Sequence, residues 1–121
     1  MTETVLWTNP SPTSSFPNQQ VTLSGNISDY KYLKFVFNLS NTSTASMSCI
    51  YDVEEFKTLT NVTNSWSRAT SPMRSNSNNN QFVRPMLYIN DTKVDFGHGA
   101  GYNANNTQDA TVIPYQIIGI N

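Results

Sequence analysis

Residues able to do covalent chemistry are few. His98 is the one imidazole and Cys49 the one thiol in a chain of 121 residues. Nucleophilic hydrolysis needs a nucleophile, a base and a group that orients the base. A Ser/His/Asp set around His98 has to choose its partners freely, because the sequence holds no Gly-x-Ser-x-Gly elbow. His98 lies in Phe96-Gly-His-Gly-Ala-Gly101. The plain reading is a surface-loop histidine between glycines that supply positive-φ turn geometry. The Gly97, Gly99, Gly101 spacing falls short of a phosphate cradle, which has longer glycine spacing and opens a helix. Paired carboxylates would suit glycoside hydrolysis. Glu54 and Glu55 are adjacent, so a strand would send them to opposite faces. Asp91 and Asp95 flank a presumptive turn at Asn90-Asp-Thr-Lys93 and read as solvated turn acids. Asp95 with His98 gives two metal ligands without a third, and Asp91 with Asp95 lacks the dense acidic loop of a calcium site. The sequence therefore assigns no catalytic residue, no metal and no cofactor, and the expectation is that the chain is not an enzyme.

Adhesion is the chemistry that remains. Of fourteen aromatic residues, most fit buried strand faces, as Phe35, Phe37 and Phe82 do. Trp66, in Asn64-Ser-Trp-Ser-Arg68, and Tyr102, beside the glycine loop, stand in polar surroundings. Aromatics framed by amides and carboxylates suit carbohydrate, with sugar C–H faces on the ring and hydroxyls on the polar groups. Trp66, Tyr102, Asn103, Asp91 and His98 form such a set, directed at host-surface glycan. The same residues suit a protein contact. Arg68, Arg74 and Arg84 add to that, since interfaces favour arginine over lysine, with structural ion pairs as the alternative. The surface-contact candidates are thus Trp66, Arg68, Arg74, Asp91, His98, Tyr102 and Asn103, and the loops expected to face outward are Ser65–Arg68, Arg74–Asn80 and Gly97–Asn106.

Composition narrows the partners. Charged residues are 12% of the chain, while Asn, Ser and Thr together supply 44 of 121 positions. The net charge of -1 is unsuited to nucleic acid, which requires a basic field to release counterions. It is equally unsuited to a polybasic membrane contact. No stretch approaches the ~20 apolar residues of a membrane span, and the N-terminus has no signal-peptide pattern. A single cysteine allows no internal disulfide. The six Asn-x-Ser/Thr sequons follow from composition and are not read as glycosylation sites.

The elements that must position these residues are strands. Leu33, Phe35, Phe37 and Leu39 alternate with Tyr32, Lys34, Val36 and Asn38, a period of two. Met47, Cys49, Tyr51 and Val53 give a second strand. Phe82–Asn90 gives a third, interrupted by Pro85 at an edge or bulge. Val112–Ile120 gives a fourth, apolar on both faces in its second half and so packed on two sides. Weaker strands are Thr4–Trp7, Gln20–Ser24, Glu55–Leu59 and Thr92–Phe96. Turns and loops fall at Asn9–Thr13, Ser24–Asn26, Asn38–Ser46, Asn61–Asn64, Ser75–Asn80, Gly97–Gly101 and Asn103–Asp109. No helix is predicted beyond a turn near Asp52–Lys57. Length and pattern indicate one domain over 1–121, an all-β antiparallel β-sandwich of jelly-roll-like kind, expected to be oligomeric.

Four strings resemble a known family. These are Leu6-Trp-Thr-Asn-Pro-Ser-Pro-Thr-Ser-Ser-Phe16, Gln19-Gln-Val-Thr-Leu-Ser24, Ile27-Ser-Asp-Tyr-Lys-Tyr-Leu33 and Ile113-Pro-Tyr-Gln-Ile-Ile-Gly-Ile120. They are similar to small domains of bacteriophage tail-fibre, baseplate and other virion surface proteins. The match spans roughly the first third and the last tenth of the chain; Ser40–Thr111 is unmatched. The resemblance implies a structural part of the phage particle, with Phe16, Val21, Leu23 and the Tyr30/Tyr32 pair in the core and the terminal strand completing a sheet. It carries over no binding site. Because the chain starts almost at the first string, attachment is expected through the folded domain itself. That favours an accessory capsid decoration or head-fibre protein, or a small tail or baseplate subunit, made in the host cytoplasm and located in the virion. Its expected partners are other virion proteins, with a homotrimer favoured among symmetric rings.

Overall fold

The computed structural model describes residues 2–59, 68–75, 80–102 and 108–121, with the backbone alone at Tyr102. Among these residues the chain forms eleven strands and one helix. The first half holds β1 (Glu3–Thr8), β2 (Gln19–Thr22), a 3-10 turn at Ile27–Asp29, β3 (Tyr32–Ser40), β4 (Ser43–Asp52) and α1 (Val53–Thr58). The second half holds β5 (Ala69–Thr70), β6 (Arg74–Ser75), β7 (Gln81–Val83), β8 (Pro85–Asn90), β9 (Lys93–Phe96), β10 (Ala100–Tyr102) and β11 (Thr111–Ile120).

All pairings are antiparallel. One layer is the four-stranded sheet β1-β11-β3-β4. The other consists of β2-β9-β8-β5 and, continuing it, β10-β7-β6. Apart from β2, the strands of this second layer are three chain runs, β5–β6, β7–β8 and β9–β10, each broken in its middle. They break at Ser71–Met73, at Arg84 and at Gly97–Gly99, and the breaks lie side by side. Such aligned breaks let one sheet turn a corner. Pro85, which has no N–H to give to a ladder, stands at the middle break as the sequence suggests. The chain crosses between layers from β1 to β2, β2 to β3, β4 to β5 and β10 to β11, so that both its ends pair in the first layer, while the β3–β4 and β8–β9 hairpins each stay within one.

Period two in the sequence becomes one buried face. Leu33, Phe35 and Phe37 of β3 and Ile113 and Ile117 of β11 face Val21, Met86, Val94 and Phe96 of the second layer in one continuous core. Phe96 is its hub, its ring lying 5.7–6.5 Å from those of Trp7, Phe16, Phe35 and Phe37. Such aromatic pairs favour edge-on contact, and three of these four are near perpendicular.

Several expectations are corrected. Asn38–Ser46 is not a loop: β3 runs to Ser40, β4 begins at Ser43, and the turn is Asn41-Thr42. Ser and Thr there face solvent on an edge strand, so polarity did not signal a turn. Asn38 rather than Leu39 is buried, because the β3–β4 register shifts between Asn38 and Ser40 and Asn38 Nδ2 donates to the Pro12 carbonyl. Glu55–Leu59 is not a strand; it belongs to α1, whose start is capped by Asp52 accepting from the Glu55 amide. Tyr32 does not enter the core but stands 43% exposed, on the opposite side of β3 from Leu33. Phe16, Val21 and Leu23 are buried, and Tyr30 packs half-buried on the core.

Candidate functional site

Arg84 organises the corner of the second layer. It is fully buried, and its five N–H donors meet five backbone carbonyls. Nε donates to Val112 at 3.1 Å, Nη1 to Phe16 at 2.8 Å and Gly97 at 2.9 Å, and Nη2 to Asp109 and Thr111 at 3.3 Å each. The Arg84 amide donates to Ser71 Oγ, and its carbonyl accepts from the Ser71 amide. Burial lowers the guanidinium to about 10, with the Asp109 carboxylate opposing the drop, so it stays charged at neutral pH. Of the sequence's two readings for this arginine, the structure selects the structural one. Val112, whose carbonyl takes the Nε proton, has φ 49°, a strained position for a β-branched side chain. The bond to Arg84 and complete burial of Val112 hold it there.

His98 is joined to this hub. Its Nδ1 lies 2.9 Å from Asp109 Oδ2, and Asp109 Oδ1 lies 3.5 Å from Arg84 Nη1 and accepts from the Gly99 amide. The partner of the imidazole is therefore Asp109. The flanking glycines do not adopt positive φ. Gly99 is required because a Cβ there would stand 2.0 Å from the Gln108 carbonyl oxygen, and Gly97 because one would meet the Pro85 ring at 2.9 Å.

Asp91 is a latch. Its Oδ1 accepts from Ser28 Oγ and Tyr88 Oη at 2.8 Å each, and its carbonyl accepts from the Ile27 amide. Those hydrogen bonds, Ser28 first and Tyr88 next, with Lys57 nearby, hold its carboxyl below the usual range. Asp95 is the reverse case: desolvation raises its carboxyl, partly offset by Arg68. Burial also pushes the Cys49 thiol up to about 12, and Cys49 is half-buried.

Among the described residues, the sequence candidates do not converge. Asp91 and His98 lie at opposite ends of β9. Arg74 and Tyr102 lie across from Phe82 and Gln81 in β10-β7-β6, on the His98 side of the corner. Arg68 precedes β5 and acts on Asp95. Trp66, Asn103, residues 65–67, 76–79 and 103–106 lie outside the described residues. Among the described residues, no three His, Cys, Asp or Glu side chains gather in a metal-binding group, and no helix is long and apolar enough to cross a membrane.

Sequence reasoning missed a cleft of about 380 Å³ between β1 and β2, the edge strands of the two layers. Its wall includes Trp7, Asn9, Ser14, Ser15, Phe16 and Gln20, and no charged residue lines it. Trp7 is half-buried, with Phe16 and Phe96 beside its ring. Asn9 fixes the rim, donating from Nδ2 to the Pro114 carbonyl and accepting from the Ser11 amide. The available signal was a tryptophan ending a strand just before a Pro/Ser-rich segment. Alternation assigned Trp7 to a strand, and the segment after it read only as a turn.

The chain matches no protein-family model and no curated protein.

Proposed function

We propose that this chain is a non-enzymatic structural protein of a bacteriophage virion. It is an accessory component of the particle surface, either a capsid decoration or head-fibre protein or a small tail or baseplate subunit. It contacts other virion proteins and self-associates, as a trimer in the favoured arrangement. The observation that carries this reading is that the strings resembling virion domains meet in space. β1, from the first string, pairs along β11, from the last. Gly119 of the last string lies under the Tyr30 ring of the third, so close that a Cβ would stand 2.6 Å from it. Phe16 from the first string and Val21 and Leu23 from the second join the same core. Strings that are distant in the chain but adjacent in the fold act as one structural unit, and none of them brings together an acid pair or a nucleophile with its base. The carboxylates of Asp91 and Asp109 are engaged by Ser28, Tyr88, His98 and Arg84.

Purified particles of the phage that encodes the chain test this reading. Immunogold labelling and a cryo-EM map are expected to place it at symmetry-related positions on the particle surface. Recovery from the infected-cell lysate only, with none on the particles, overturns it.

A further inference from the structure

We infer that the Trp7 cleft is a binding site for a neutral hexose or N-acetylhexosamine unit of a polysaccharide. This goes beyond the virion reading and does not depend on it. The volume, about 380 Å³, is within the range of small-ligand pockets. Its lining selects the chemistry. One indole, with Phe16, Pro10 and Val21 beside it, stands among hydroxyls and amides, with no lysine, arginine, aspartate or glutamate. An anionic or cationic ligand would find no counter-charge there. A wholly apolar ligand would strip water from the polar groups and give no hydrogen bond back. A neutral sugar meets both demands, with C–H faces for the ring and hydroxyls for the polar rim.

The polar groups are also free to bind. Among the described residues, the hydroxyls of Ser11, Ser14, Ser15 and Thr22 and the side-chain amide of Gln20 hydrogen-bond no protein group. The scaffold, in contrast, is fixed. Phe16 and Phe96 hold the Trp7 ring, and the Asn9 bonds together with the Ser14 amide donating to the Ser11 carbonyl hold the rim. A wall ordered in advance loses little entropy on binding. These residues differ from the Trp66/Tyr102 set that the sequence suggested for glycan.

The test uses the full chain, titrated with maltohexaose, cellohexaose and chitohexaose. Backbone amide shifts are followed by NMR, and Trp7 fluorescence in a Trp66→Phe background. One of the three is expected to give saturable shifts at Trp7, Ser14 and Gln20, with a dissociation constant on the order of 1 mM. Ser15→Glu changes an exposed residue outside the core. It is expected to weaken that binding at least about tenfold, roughly the effect of 1.4 kcal/mol, without moving the thermal midpoint. Gln20→Ala is expected to weaken it severalfold. The inference is overturned by any of three results: no shift with all three sugars on the order of 10 mM, shifts confined to another face, or binding that Ser15→Glu leaves intact. Occupation of the cleft by a virion protein, with no response to sugar, overturns it as well.

Discussion

Arg84 shows how a polar side chain can be a core residue. Its acceptors are five carbonyls from three separate segments, so no neighbouring substitution can remove them. Arg84→Met keeps much of the volume but leaves the five carbonyls unpaired and takes the guanidinium away from Asp109, which keeps His98 and the Gly99 amide. The expected cost is about 3–5 kcal/mol, read from urea unfolding. Adding Asp109→Asn is expected to recover less than half of it, because the carbonyls stay buried; full recovery would mean that the ion pair, not the carbonyl set, matters. Asp91 and Asp95 make opposite predictions. The Asp91 carboxyl is lowered in the fold, so the unfolded chain binds its proton first as pH falls. Its stabilisation is present above the ordinary carboxylate range and lost as pH drops through the folded value. The Asp95 carboxyl is raised, so the folded chain holds the proton longer and stability is lost as pH rises through its folded value. Urea midpoints from acid to neutral pH are therefore expected to fall for Asp91→Asn and rise for Asp95→Asn at pH 7. Both differences should vanish at the acid end.

At the scale of elements, the fourth strand was legible because both faces of Ile117–Ile120 are apolar, and Ile117, Ile118 and Ile120 are all buried; β11 owes this to a central place between β1 and β3, with Ile117 on the core side and Ile118 and Ile120 on the outer face. The corner was not legible, although Pro85 marked its place. Nothing in Val83-Arg-Pro85 says that the arginine points inward, because its acceptors are carbonyls from remote segments and backbone carbonyls leave no trace in residue types. The six-residue helix was missed for a related reason. Six residues show no full 3.6-residue stripe, and the Asp52 cap with Glu55 three positions on was the one local sign. The Trp7 cleft needed two edge strands from different layers to be adjacent, a tertiary fact. Gly119 illustrates the same limit, since its reason is the Tyr30 ring from a distant turn. Gly119→Ala is expected to cost about 1–3 kcal/mol through overpacking. Tyr30→Ala should make room, so the double variant is expected to cost clearly less than the two single changes added, measured by a double-mutant cycle of urea unfolding. Strict additivity would show that the two residues do not constrain each other.

For the whole molecule, the proposed self-association points to the outer face of the β1-β11-β3-β4 sheet. Cross-strand neighbours form two rows on it: Val5, Ile118, Lys34 and Ile50, and beside them Glu3, Ile120, Tyr32 and Asp52. Ile118 and Ile120 are buried beneath their neighbours, while Val5, Tyr32 and Ile50 are 49%, 43% and 58% exposed. Val5 adjoins Ile118 in one row and Ile120 adjoins Tyr32 in the next, while Lys34 stands between Ile118 and Ile50; adjoining hydrophobes, unlike scattered single ones, suit a contact surface. The β4 edge beside it, Ser43–Tyr51, has no charged residue or proline of the kind that natural edge strands use against pairing. With Glu3 and Asp52 in one row and Lys34 in the other, a second copy can set opposite charges against each other around the apolar residues of this face. Light scattering is therefore expected to give a multiple of 13.5 kDa, three copies in the favoured arrangement. The Val5→Glu/Ile50→Glu double variant should return the single-chain mass. Its near-UV circular dichroism should stay unchanged, because neither side chain belongs to the core cluster. Burial of apolar area drives such association, so it is expected to persist at high salt. A wild-type chain that stays at the single-chain mass as its concentration rises would leave the outer face without an assembly role and remove self-association from the virion reading.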